Sequence, residues 1–96
     1  MRRVYLVTYD VSDDKRLRQV FKKMNGYGEH LQYSVFQCEL SDKERIQMIA
    51  ELNTLIHHRE DQVLIFSLGP AESYNANATI ALGKPYEFVE RHAIVV

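Results

Sequence analysis

The sequence predicts an α+β fold: two helices packed on one sheet, inside a single domain. Three observations predict it. Val4-Tyr5-Leu6-Val7 and Val63-Leu64-Ile65-Phe66 are short, continuously apolar runs of strand length. Two segments, 13–24 and 42–56, carry apolar residues at helical spacing. Between them, Gly28 to Leu40 is rich in β-branched and aromatic residues and shows no helical stripe.

Val4 to Tyr9 is apolar on both faces, as a central strand covered on both sides requires. A helix follows. Ser12 or Asp13 can cap its first turn, and Asp13 and Asp14 suit its positive end. Leu17, Val20, Phe21 and Met24 fall at i, i+3, i+4 and i+7 and form its apolar stripe. Asn25-Gly26 reads as a left-handed terminator.

In the extended stretch, Leu31, Tyr33 and Val35 share one face, whereas Phe36, Cys38 and Leu40 share the other. The phase changes at Val35-Phe36, which requires a bulge, a sharp bend or a very tight hairpin. Ser41-Asp42-Lys43-Glu44 is a capping box opening a second helix, whose apolar face is Met48, Ile49, Leu52, Leu55 and Ile56. Gln62 to Leu68 is the next strand, ended by Gly69-Pro70. Residues 71–85 carry no clear pattern, and Tyr86 to Val96 reads as a final extended segment.

This order, strand, helix, extended pair, helix, strand, is the βαββαβ arrangement of ferredoxin-like folds, with one strand left over at the C-terminus. The expectation is one domain over 1–96, with a core over about 1–68 and an extension over about 69–96. A surplus strand pairs either with its own sheet edge or with a second subunit. The second choice covers exposed edges and builds a homodimer.

Composition agrees with a soluble globular chain: 96 residues, 46% hydrophobic and 26% charged, with four Gly and two Pro. No apolar stretch is long enough to span a membrane, and the first apolar run is too short for a signal peptide. Lone Cys38 excludes an internal disulfide and points to the reducing cytoplasm, as a small buried hydrophobe. Net charge is −1, but it is unevenly spread. Through residue 23 there are seven basic residues against three acids; the remainder carries five against ten. That asymmetry suggests a basic face.

Asp10 is the most informative polar position. It follows a buried strand and precedes a helix, so it emerges at the strand's carboxyl end, where ligands and reacting groups tend to sit. One carboxylate is a poor site for a hard cation; two copies brought together by a dimer axis are a better one. The alternative is that Asp10 merely opens a turn. Lys15, Arg16, Arg18, Lys22 and Lys23 fill the arc of the first helix away from its apolar stripe, and Arg16 lies nearest Asp10 along the chain. A guanidinium there can grip a phosphate, or the whole arc is a solvated face. His57-His58 suits a helix C-terminus, and His30 and His92 are isolated. Zinc spacing, a phosphate-cradling glycine loop and a nucleophile elbow are absent.

Val7-Thr8-Tyr9-Asp10-Val11, Lys15-Arg16-Leu17-Arg18 and Gln32-Tyr33-Ser34-Val35-Phe36, in that order and spacing, resemble the small CRISPR-associated Cas-two proteins. The resemblance covers residues 1 to about 68. It implies a ferredoxin-like homodimer that sits with the Cas-one integrase and holds the duplex DNA that becomes a new spacer. It also implies a metal-dependent endonuclease on RNA or DNA, with single-stranded RNA among the substrates. In that reading catalytic Asp10 binds Mg²⁺ or Mn²⁺ together with Asp10 of a second copy. Arg16, a matched position, becomes a nucleic-acid contact, and the basic face of the first helix adds Arg18 and Lys23 to it. Tyr9, Ser34 and Phe36 are the remaining matched positions, Phe36 serving equally well as an interface or core residue. One departure is His30, where members of that family commonly carry arginine; a phosphate contact there becomes weaker and pH-dependent, or is lost.

Two functions therefore stand side by side. One is a phosphodiesterase built on the Asp10 pair. The other is a non-catalytic scaffold whose basic helices hold phosphates without reading bases. A ferredoxin-like sensor of small molecules, the third option from the fold alone, is disfavoured by the basic first helix and the missing ligand loop.

Overall fold

The computed structural model describes residues 1–86. The predicted terminal strand, Tyr86 to Val96, lies outside the described residues save for Tyr86. Strands β1 (Arg2–Asp10), β2 (Gly28–Gln32), β3 (Val35–Ser41) and β4 (Gln62–Pro70) form one antiparallel sheet in the order β2-β3-β1-β4. Helices α1 (Asp14–Asn25) and α2 (Asp42–Leu55) connect β1 to β2 and β3 to β4, giving the expected ferredoxin-like order. Two short 3₁₀ turns, Ala71–Ser73 and Ala76–Ala78, follow β4, and the first packs against β1. No helix among the described residues is long and apolar enough to cross a membrane.

The pleat of β1 divides its residues between two faces. Tyr5, Val7 and Tyr9 point towards the helices and join Val20, Met24, Phe36, Cys38, Leu40, Met48 and Leu52 in the core. Leu6, Thr8 and Asp10 point to the other face, which carries no α-helix and is partly covered, on its β2–β3 side, by the segment that follows β4. Antiparallel pairing sets Leu6 beside Phe66, Thr8 beside Leu64 and Asp10 beside Gln62 on that open face. Leu64, Phe66 and Leu68 remain exposed there.

Asp13 caps α1 by accepting the Arg16 N–H, while Ser12 turns elsewhere. The helix ends at Gly26, which stays right-handed with φ −78° rather than adopting the left-handed form its sequence invites. A simple 3₁₀-like closure suffices, Gly26 N–H donating to Lys23 O and Tyr27 N–H to Met24 O. The Ser41–Glu44 capping box forms in both directions. At the far end of α2, His58 Nε2 sits 3.0 Å from Asn53 O and satisfies a terminal carbonyl.

The extended stretch is a tight hairpin with Tyr33 and Ser34 as its loop, Gln32 pairing with Val35. Tyr33 takes φ +29°, and the register slips between His30 and Gln32. Leu31 and Val35 lie on the open face, whereas Phe36, Cys38 and Leu40 lie on the helix face. The phase change in the sequence is thus ordinary alternation resumed after a hairpin placed two residues earlier.

Candidate functional site

Asp10 is the last residue of β1, exposed, on the open face and opposite Gln62. Its neighbours on that face are Thr8 and the exposed side chains of β4. Beyond it Val11 is buried and anchors the turn, and Ser12 and Asp13 lead into α1.

The matched positions around Asp10 fall into the fold rather than around an open cleft. Tyr9 is buried against the core, its ring stacked on Phe36 with centroids 6.2 Å apart. Its amide donates to Ser34 O at 3.1 Å, which ties the end of β1 to the hairpin loop. Burial pushes the Tyr9 hydroxyl above its ordinary pKa, with the Ser34 side chain opposing. Phe36 is fully buried and also contacts Phe21 and His30, edge-on and tilted, at 5.6 and 5.0 Å. It is a core residue in this chain. Removing it would act through the fold, at about 3–5 kcal/mol.

His30, the histidine that stands where arginine is expected, is pinned the same way. Its ring meets Phe21 edge-on at 5.0 Å, and Nε2 lies 2.6 Å from Tyr33 O. The imidazole closes the hairpin, and its polar edge is used by the backbone.

The three basic residues singled out in α1 separate. Arg16 is engaged within the chain: its Nε donates to Asp61 Oδ2 at 2.8 Å, and one terminal nitrogen donates to Asp61 Oδ1 at 3.1 Å and Glu60 Oε1 at 3.3 Å. That bidentate grip holds the Asp61 carboxyl far below the usual carboxylate range, and the same carboxylate raises Arg16. Lys23 is half-buried, with its Nζ 3.8 Å from Glu51 Oε1. Arg18 is exposed and, among the described residues, forms no ion pair. With exposed Lys15 and Lys22 it lies at i, i+3 and i+7 along the outer face of α1, in the layer opposite Asp10.

Asp61 was not legible as a site residue. Its partners, Ser12 and Arg16, lie 49 and 45 residues away, so no local spacing marks it. Within one chain, no three His, Cys, Asp or Glu among the described residues gather so as to hold a metal ion.

Against known proteins, the sequence model described as CRISPR associated protein Cas2 matches residues 1–75. The chain belongs to the Cas2 family. It is 49% identical over 92 residues to "CRISPR-associated endoribonuclease Cas2 1" of Rhodospirillum rubrum, covering 96% of this chain and 89% of that one. The crystal structure of Streptococcus pyogenes Cas2 superposes with a TM-score of 0.73 at 32% identity, over 83% of this chain and 99% of that one. A chain from a partial Cas6-RT-Cas1–Cas2 complex shares the fold with a TM-score of 0.63 at 22% identity, over 92% of this chain and 99% of that one. The Cas2 pattern thus spans the whole four-stranded sheet and both helices described above.

Proposed function

We propose that this chain works in the cytoplasm as a homodimer that binds duplex nucleic acid and cleaves phosphodiester bonds in RNA or DNA, with Asp10 of each copy at the reacting centre. The observation that carries the reading is the place of Asp10. An exposed carboxylate ends β1 on the face without α-helices, which also bears the exposed apolar residues Leu64, Phe66 and Leu68 further along β4. Such a patch favours burial against a second copy, and a two-fold axis through that face pairs equivalent carboxylates. Two carboxylates supply what one lacks for Mg²⁺ or Mn²⁺, and this reading assigns the metal to the pair. Membership of a family whose relatives carry the endoribonuclease name supports the activity class.

Asp10→Ala tests it. Metal-dependent cleavage should disappear while duplex affinity stays within about twofold, because the basic face of α1 is untouched. An alanine variant that cleaves as fast as the wild type removes Asp10 from the reaction.

A second reading has its own support. Arg18, Lys15 and Lys22 stand in the layer opposite Asp10, so duplex binding needs nothing from the carboxylate. In that reading the dimer is a non-catalytic scaffold that presents duplex DNA to the Cas1 integrase. Wild-type protein that binds duplex but shows no Asp10-dependent cleavage decides for it.

A further inference from the structure

Five hydrogen bonds converge on the carboxylate of Asp61, whose side chain has no exposed surface. Ser12 N and Ser12 Oγ donate to Oδ1 at 3.1 and 3.3 Å, and Arg16 donates to both oxygens as described. His57 N donates to Oδ2 at 2.8 Å. Two stretches far apart in sequence meet on one group: the turn that leaves β1 together with the first turn of α1, and the loop that enters β4. Asp61 also immediately precedes Gln62, the ladder partner of Asp10.

We propose that Asp61 is the positioning residue for Asp10. This rests on the reading of Asp10 as the cleaving group and adds what holds it in place. Asp10 is the final residue of its strand, where the ladder stops restraining the chain. Two residues later, Asp61 takes the Ser12 amide and hydroxyl, so the turn is fixed on both sides of Val11. A strand end clamped in this way cannot fray, and the direction of its last side chain is set. Arg16 keeps the clamp charged and desolvated on its open side, which assigns that guanidinium to the turn instead of to phosphate.

Asp61→Ala, Asp61→Asn and Asp10→Ala, compared as full-length protein, test the assignment through cleavage kinetics and amide exchange. For Asp61→Ala the expected result is a kcat at least tenfold lower with KM changed less than twofold. Protection of the Ser12 amide should fall at least tenfold while Val7, at the centre of β1, keeps its protection. Asp61→Asn keeps one oxygen acceptor for Ser12 but turns an NH2 towards Arg16 Nε and His57 N, so it should recover part of both losses; it carries the same comparison if alanine leaves the chain unfolded. The proposal is overturned if Asp61→Ala keeps the wild-type kcat while Asp10→Ala loses it. It is equally overturned if Ser12 protection is unchanged, or if Asn and Ala lose kcat equally. Asp10→Ala cleaving like wild type is a separate outcome: it sinks the reading of Asp10 itself, whatever the Asp61 variants do.

Discussion

Arg18, on the outer face of α1, and Asp10, on the helix-free face, stand on opposite sides of the sheet. Side chains so placed act on different parts of a nucleic acid, or on different molecules. Backbone contacts by Arg18 then carry affinity without touching the reacting centre. Arg18→Ala should weaken duplex binding to a similar extent for every sequence. The slope of log affinity against log salt should fall by about one. Metal-dependent cleavage of saturating substrate should be unchanged. Titrations at several salt concentrations check this, and an unaltered slope removes Arg18 from the binding face.

The open face supplies the second prediction. Leu6 and Phe66 are ladder partners there, and Phe66 is 47% exposed in a single chain. If a second copy covers it, a buried charge at that position is prohibitive, whereas in a free surface it is harmless. Phe66→Asp should therefore lower the solution mass to that of one 11.2 kDa chain without unfolding it. Light scattering after size exclusion gives the mass, and circular dichroism confirms the fold. A variant that stays dimeric places the contact elsewhere.

Much of this architecture is written in local patterns. The Leu17, Val20, Met24 stripe, the Ser41–Glu44 box and the paired apolar strands each depend on neighbours within a turn or a pleat, so they are readable from spacing. The hairpin was readable only as a phase change, because Leu31 and Val35 are apolar on the open face while Phe36, Cys38 and Leu40 are apolar on the helix face, which hides where the loop lies. Tyr33 adds to this: nothing in a tyrosine announces φ +29°. Asp10 could be found because strand-end position is itself a local property. Arg16 could be found but not understood. Its partner arrives from beyond α2, and a basic helix face gives no sign of which residue is withheld from solvent. Phe36 was left between core and interface, and packing against Tyr9, Phe21 and His30 places it in the core.

Gly28 tests how tightly β2 is held. It pairs with Cys38, and a Cβ at this position would fall against the Gln37 carbonyl oxygen and 2.5 Å from Cys38 Sγ. The first obstacle is backbone, so relief requires β2 to move away from β3. Gly28→Ala should destabilise the protein by about 1–3 kcal/mol. Cys38→Ala in the same chain should restore only part of that, since it removes the sulfur and leaves the carbonyl. Denaturant midpoints of the two single variants and the double variant measure both effects. Full restoration by Cys38→Ala shows that the sulfur alone was the barrier.

Tyr27 and Glu51 make the clearest titrating pair. The Tyr27 hydroxyl donates to Glu51 Oε1 between the end of α1 and the middle of α2. Burial, then the hydrogen bond to Glu51, then the charges of Glu51 and Glu44 push Tyr27 up to about 12 from 10.0. The folded protein thus prefers the neutral phenol more strongly than the unfolded chain does. A raised folded-state pKa contributes stability that is complete below pH 10 and lost as pH rises through about 12. The same hydrogen bond lowers Glu51, so the carboxylate stays charged as an acceptor throughout this range. Tyr27→Phe should cost about 1 kcal/mol at neutral pH, the usual size of one hydrogen bond. Tyr9 is also raised by burial, but it is present in both proteins and cancels in their comparison. The gap in melting temperature between wild type and Tyr27→Phe should accordingly narrow from pH 10 upward. Thermal melts across pH 8–12 check it, and a constant gap would show that this hydroxyl does not titrate with folding.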